Sequence, residues 1–197
     1  MDKIVCFGKN YQDHIVELGD PAVEKPVIFL KPPSILKQCQ QWGQTIQAVL
    51  TENETHYECE LVIRLNKDRI DAYTIGLDMT LRQQQALLKK NGHPWTISKV
   101  FPDACIIGPW IESSDADFLN IPFQFILDGE VKQSSYGKNM LFKPAELIRY
   151  ASQFFPLCTG DILFTGTPAG VGPVKKDSIG VLKMGELEYK VQWAPKK

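Results

Sequence analysis

No stretch of this sequence is apolar for the roughly 20 residues that crossing a bilayer requires, and Met1-Asp2-Lys3 before a short strand-like run does not make a signal peptide. The default compartment is therefore the cytoplasm. An excess of one charge is also missing. Against 22 basic residues stand 23 acidic ones, a formal net charge of -1, so nothing draws the chain as a whole to nucleic acid or to a membrane surface. Any charge-driven function must be local. Cys6, Cys39, Cys59, Cys105 and Cys158 are odd in number and scattered. Without a Cys-x-x-Cys pair or clustered histidines they indicate free thiols, not a disulfide framework or a structural zinc site. Gly-Lys-Ser and Gly-Lys-Thr are absent, which removes the phosphate loop of nucleotide-binding enzymes. No segment repeats and no linker rich in Pro, Gly or Ser divides the chain, so residues 1–197 read as a single domain. Its 44% hydrophobic content can bury a sizeable core.

Two carboxylates in residues 56–65 organise what is present. As a β-strand this stretch sends Tyr57, Cys59, Leu61, Ile63 and Leu65 to one apolar face, and Glu58 and Glu60 to the other. Side chains two residues apart on a strand start about 7 Å from each other, close enough for both carboxylates to reach one divalent cation. A half-solvated strand with two outward glutamates gives the same pattern. Residues 70–77 read as a further strand that delivers Asp78 between Leu77 and Met79. A carboxylate buried there needs Thr80 and backbone N–H groups, or a cation. The helix predicted over 80–90 sets Arg82 and Gln85 on one face, close to Asp78.

Residues 4–7 read as a short strand entering a brief helix, with Asn10 as its N-cap and Gly19 as its stop. His14 and Glu17 share a face of that helix, so the carboxylate can orient the imidazole as a general base; a surface ion pair has the same spacing. Residues 26–33 form an apolar strand ended by prolines, with Lys31 either reaching solvent or facing a cleft to hold an anion. Residues 34–54 are polar and rich in glutamine and read as a loop or hairpin. His56 and His93 read as surface or loop histidines. Runs at 123–127 and 131–133 flank Asp128-Gly129, a hairpin signal. Pro144 opens a helix to about Phe154, whose Leu147, Ile148, Ala151 and Phe154 form a core-facing stripe. A buried strand then enters a glycine-rich loop, Gly166 to Gly172, able to turn backbone N–H groups toward an anion, with Thr167 adding a hydroxyl. Strand-like runs follow at 179–184 and 187–193, and residues 194–197 are a short basic tail. Strands outnumber helices, which predicts a β-rich α+β fold.

Asn10-Tyr11 with His14 and Glu17, Phe29-Leu30-Lys31-Pro32, His56-Tyr57-Glu58-Cys59-Glu60-Leu61, Leu77-Asp78-Met79-Thr80 with Arg82 and Gln85, Pro94-Trp95 with Lys99, and Gly160-Asp161 with the run from Thr165 to Gly172 lie in one order. Together they resemble the fumarylacetoacetate hydrolase family over nearly the whole chain. The resemblance implies a mixed β-sandwich roll, assembled as a homodimer. It implies that Glu58, Glu60 and Asp78 bind one Mg²⁺ or Mn²⁺ per chain, a set of hard oxygen ligands that water and substrate would complete. It implies that His14 and Glu17 are the catalytic, water-activating pair, on a segment that often orders over bound substrate. Lys99 joins them as a catalytic residue, Arg82, Gln85 and Thr167 line the substrate site, and Lys31 belongs with these. The chain departs from the family pattern at Lys9, where arginine is common, at Gln83, where aspartate is common, and at Phe101-Pro102-Asp103, which replaces a Phe-Asp pair. These departures bear on substrate preference, not on the metal triad. The chain is short for the family and shows no extra N-terminal domain of the fumarylacetoacetase kind, which argues against that enzyme itself.

The leading activity that the resemblance implies is hydrolysis of acylpyruvates, which are 2,4-dioxo acids, to pyruvate and a carboxylic acid. His14 would activate water for attack on the distal carbonyl, and the metal would neutralise the developing enolate. Lys99 and the Thr167 loop would stabilise oxyanions. The same site without water attack implies an oxaloacetate decarboxylase or keto-enol tautomerase. A silent binder of metal and a small acid is the third reading. The His14 and Glu17 pair argues against it, because a binder needs no general base.

Overall fold

The computed structural model describes residues 1–19, 21, 23–112 and 116–195; Lys196 and Lys197 of the basic tail lie outside them. An eight-stranded mixed sheet organises the fold. Its strands run in the order Val27–Lys31, Ile4–Gly8, Ile162–Phe164, Cys59–Asn66, Arg69–Asp78, Cys105–Ile107 and Leu36–Gln38, with Ile111–Glu112 paired onto Arg69–Asp78. A five-stranded sheet takes Glu130–Tyr136, Pro122–Leu127, Ile179–Met184, Leu187–Pro195 and Thr45–Leu50, and a small sheet joins Gly172–Pro173, Thr55–Tyr57 and Thr80–Leu81. The β-rich α+β class expected from the sequence is the one observed.

Alternation along the large sheet explains where the core and the site lie. Tyr57, Cys59, Leu61, Ile63 and Leu65 enter one apolar cluster together with Phe123, Phe125, Leu182 and Trp193 of the five-stranded sheet. Val62 points the other way, into a second cluster with Ile4, Cys6, Cys105, Ile107, Ile162 and Phe164. The Cys59–Asn66 strand is therefore covered on both faces, and the half-solvated reading of Glu58 and Glu60 does not hold. Both glutamates lie on the Val62 side, at the end of the sheet where the second cluster gives way to the site.

Several local expectations change. Residues 34–54 are not a hairpin: Leu36–Gln38 pairs parallel with Cys105–Ile107, while Thr45–Leu50 pairs parallel with Leu187–Pro195 in the other sheet. Tyr11, not Asn10, precedes the Gln12–Glu17 helix, and no side chain caps it. The Asn10 amide instead donates to Thr165 O at 2.7 Å and to Phe142 O at 2.9 Å. The Pro144–Ala151 helix buries Leu147, Ile148 and Ala151 but ends before Phe154, which is 60% exposed. The hairpin expectation is met, with Asp128 and Gly129 both at positive φ, as a two-residue turn between twisted strands requires. All five cysteines are free, and four of them are buried.

Candidate active site

Strand pairing builds the centre of the site. Arg69–Asp78 lies antiparallel to Cys59–Asn66, with Glu60 opposite Gly76. The register carries on one step, so that Asp78 N–H donates to Glu58 O at 2.8 Å. Glu60 and Asp78 thereby share one face of two neighbouring strands, and Glu58 joins them from the break between Thr55–Tyr57 and Cys59–Asn66, so the stretch 56–65 is two strands and not one. One carboxylate oxygen from each lies within 4.8 Å of the others, and all three residues are buried.

Three cations answer these three carboxylates. Lys99, at the end of the short Thr96–Lys99 helix, bridges Glu58 Oε2 at 2.8 Å and Asp78 Oδ2 at 2.9 Å. Arg82 pairs with Glu58 and donates to Gln85 Oε1 at 2.9 Å. Lys31 approaches from the sheet, with Nζ 2.5 Å from Asp78 Oδ1 and 2.8 Å from Ala104 O. Burial alone would raise the Glu58 carboxyl, but Lys99 and Arg82 hold it well below the usual carboxylate range. Glu60 goes the other way: burial and then the Asp78 and Glu58 charges push it up, beyond what the Gly166 N–H and Lys99 offset. Burial would lower Lys99, yet Asp78 and Glu58 raise it.

The dyad and the glycine-rich loop meet over this centre. His14 Nδ1 lies 2.9 Å from Glu17 Oε2, and Glu17 Oε1 accepts the Gly170 N–H at 2.9 Å. A carboxylate at Nδ1 keeps the proton on that nitrogen and leaves Nε2 as the basic one. The loop does turn N–H groups toward anions, and these anions are the chain's own carboxylates: Gly166 N–H donates to Glu60 Oε2 at 2.6 Å. The Thr167 hydroxyl donates to Cys59 O at 2.9 Å and accepts from Gln133 Nε2 at 2.8 Å, so it keeps no proton for a ligand. Gln133 also accepts the Cys59 N–H at 2.8 Å and donates to Pro168 O at 2.7 Å, tying the carboxylate strand to the loop. In sequence Gln133 is one more residue of the hairpin, and nothing in its exposed neighbours Val131 and Ser134 marks it as buried.

A narrow cleft of about 40 Å³ opens onto these groups. His14, Glu58, Glu60, Asp78, Arg82, Gln85, Lys99 and Thr167 all line it, joined by Lys9, Phe29 and Trp95. Glu17 stands behind His14. Lys31 does not line the cleft: it is 1% exposed and lies behind Asp78. The expectation that it contacts substrate is therefore corrected, because its ammonium is spent on Asp78 and on backbone carbonyls. The carboxylate set suits a hard divalent cation in number and in donor type. Asp78 Oδ1, buried against Lys31, has no aligned hydrogen bond, and Glu60 is crowded by like charge.

The family model for the fumarylacetoacetate (FAA) hydrolase C-terminal region matches residues 3–192. This chain belongs to that family. Among its relatives, the mitochondrial oxaloacetate tautomerase FAHD1 of Arabidopsis thaliana is 37% identical over 96% of this chain and 91% of that protein. A mitochondrial oxaloacetate decarboxylase of Dictyostelium discoideum is 36% identical over 90% of this chain and 86% of its own length. The crystal structure of fumarylpyruvate hydrolase from Pseudomonas aeruginosa in complex with Mn²⁺ and pyruvate superposes with a TM-score of 0.91 at 32% identity, covering 100% of this chain and 91% of that one. The family's mixed, curled sheets are thus the sheets described above.

Proposed function

We propose that this chain is a metal-dependent enzyme acting on small 2-oxo acids, with keto-enol tautomerisation of oxaloacetate as its principal reaction. One observation carries the reading: a buried triad of carboxylates and a carboxylate-oriented histidine converge on one cleft. Glu58, Glu60 and Asp78 would hold one Mg²⁺ or Mn²⁺, as the donor set and the crowding at Glu60 favour. An ion bound there would polarise the oxygen of a chelated 2-oxo acid and neutralise charge as the enolate forms.

Charge supports an anionic substrate. The three carboxylates offset Lys31, Lys99 and Arg82, and Lys9 and Lys89 also line the cleft, so a bound divalent ion would leave it positive, which suits an anionic acid. His14, held at Nδ1 by Glu17, would take a proton from C3 at Nε2 and return it to the enol oxygen, so that the proton count closes within one residue. Similarity to the oxaloacetate tautomerase and the oxaloacetate decarboxylase supports this substrate. Acylpyruvate hydrolysis is the second reading. The same dyad can activate water, and the likeness to a fumarylpyruvate hydrolase holding pyruvate favours it.

Oxaloacetate and acetylpyruvate presented side by side, with and without Mg²⁺ or Mn²⁺, separate these readings. The expected result is metal-dependent interconversion of oxaloacetate enol and keto forms without cleavage, slowed about 10²–10⁴-fold in His14→Ala. Pyruvate and acetate from acetylpyruvate would move the assignment to hydrolysis. Pyruvate and CO₂ from oxaloacetate would move it to decarboxylation, and no turnover of either acid would remove the enzyme reading.

A further inference from the structure

We infer that Lys31 is a positioning residue for the metal-binding triad: it fixes the Asp78 carboxylate from behind and sets the affinity of the site for a divalent cation. The inference rests on reading Glu58, Glu60 and Asp78 as the metal ligands. Asp78 is flanked by two lysines, one on each oxygen. Lys99 Nζ meets Oδ2 at 2.9 Å and Lys31 Nζ meets Oδ1 at 2.5 Å. The two contacts differ in kind. Lys99 extends from a four-residue helix, lines the cleft and shares its ammonium between Glu58 and Asp78. Lys31 comes from the Val27–Lys31 strand, where it pairs with Ile4, and its side chain is fully enclosed.

Backbone carbonyls complete the hold on Lys31. Its ammonium donates to Ala104 O at 2.8 Å and to Met79 O at 3.3 Å. Met79 follows Asp78 directly, and Met79 N–H donates to Ala104 O at 2.9 Å. One ammonium therefore joins the carboxylate, the residue after it and the segment entering the Cys105–Ile107 strand. With its other donors on the backbone carbonyls of Ala104 and Met79, the Lys31 ammonium is held beside Oδ1 as an ion pair. A charge buried this far persists only with a full set of partners, and this one has three. Groups that orient ligating carboxylates typically set metal affinity by about 10–100-fold.

A positive charge beside a cation site also repels the cation, and the two roles predict opposite signs. If Lys31 acted only as a charge, its removal would tighten divalent binding, as removal of Lys99 from the same carboxylate should. If it positions Asp78, its removal must weaken binding although the repulsion has gone.

The test is Mn²⁺ affinity, measured by titration calorimetry and by electron paramagnetic resonance on the full chain without substrate, for wild type, Lys31→Met and Lys99→Met. Binding about tenfold or more weaker in Lys31→Met, with Lys99→Met unchanged or tighter, supports the inference. Lys31→Gln, which is uncharged but can still donate to a carbonyl, is measured alongside and replaces Lys31→Met if that protein does not fold; binding weaker than wild type is expected for it too. Unchanged or tighter Mn²⁺ binding in the folded Lys31 variant, even with lowered thermal stability, overturns the inference and leaves Lys31 a purely structural residue. Absence of Mn²⁺ binding by wild type overturns the metal reading and the inference with it. A wild-type protein that binds Mn²⁺ but turns over neither acid overturns the proposed reaction and leaves the comparison of Mn²⁺ affinities to decide the role of Lys31.

Discussion

Gly166 shows how narrow the tolerances are at single residues. Its φ of +101° belongs to glycine, and a Cβ there would stand 2.7 Å from Asn10 Cβ and 3.3 Å from Phe7 O. The N–H that this conformation aims at Glu60 is the same atom that helps a crowded carboxylate stay in place. Gly166→Ala is expected to lose about 1–3 kcal/mol of stability through backbone strain alone, measured by denaturant unfolding, and to bind Mn²⁺ more weakly. Wild-type Mn²⁺ affinity in that variant would mean that Glu60 does not depend on the loop. At this scale the sequence was informative where period and pairing coincide. Glu60 and Asp78 fall on one face because strand alternation requires it, and His14 and Glu17 meet because a helix brings such positions together. It was uninformative where a side chain's direction depends on distant partners. Lys31 reads equally as an outward or an inward lysine until Asp78 and Ala104 are in place. Thr167 reads as a donor until Cys59 O claims its proton.

At the scale of elements, the Pro144–Ala151 helix separates apolar character from burial. Leu147 is fully buried in the main core, and Leu147→Ala should cost about 2–5 kcal/mol. Phe154→Ser should cost no more than about 1.5 kcal/mol, the worth of its edge-on contact with Tyr150, since the ring is otherwise mostly exposed. Thermal unfolding of both variants checks the pair, and a large loss in Phe154→Ser would show that this ring is covered in solution. The apolar period that suggested one continuous stripe runs past the end of the helix, because Phe154 N–H already turns back to Ala151 O at 3.0 Å. Residues 34–54 failed for a related reason. Their two short strands find partners about 70 and 145 positions away in different sheets, and local patterning has no access to pairings of that range.

Across the whole molecule, Asp161 fastens the start of the chain to the large sheet. Its carboxylate accepts from the N–H groups of Asp2 at 2.9 Å, Lys3 at 3.1 Å and Cys158 at 2.8 Å, and from Lys3 Nζ at 2.7 Å. Burial would raise its carboxyl, but Lys3 and the three N–H groups lower it. A lowered carboxyl stabilises the fold above the ordinary aspartate value of about 3.9, and that contribution is lost as pH falls through the lower, folded-state value. Asp161→Asn should therefore be about 1–3 kcal/mol less stable than wild type at neutral pH, with the gap closing below about pH 4. Unfolding measured across pH decides this; a gap that persists in acid would assign the loss to packing.

The same fastening sets a timetable for biogenesis. Ile4–Gly8 lies parallel to Ile162–Phe164, and that late strand is the one that links it to Cys59–Asn66. At about 5–20 residues per second, a ribosome needs on the order of 10–30 s to bring the two together. Throughout that interval Ile4–Gly8 has only Val27–Lys31 beside it, and the carboxylates at 58, 60 and 78 have no loop over them. A chain truncated before Ile162 would leave Ile4–Gly8 and Cys59–Asn66 unjoined and Glu60 without the Gly166 N–H.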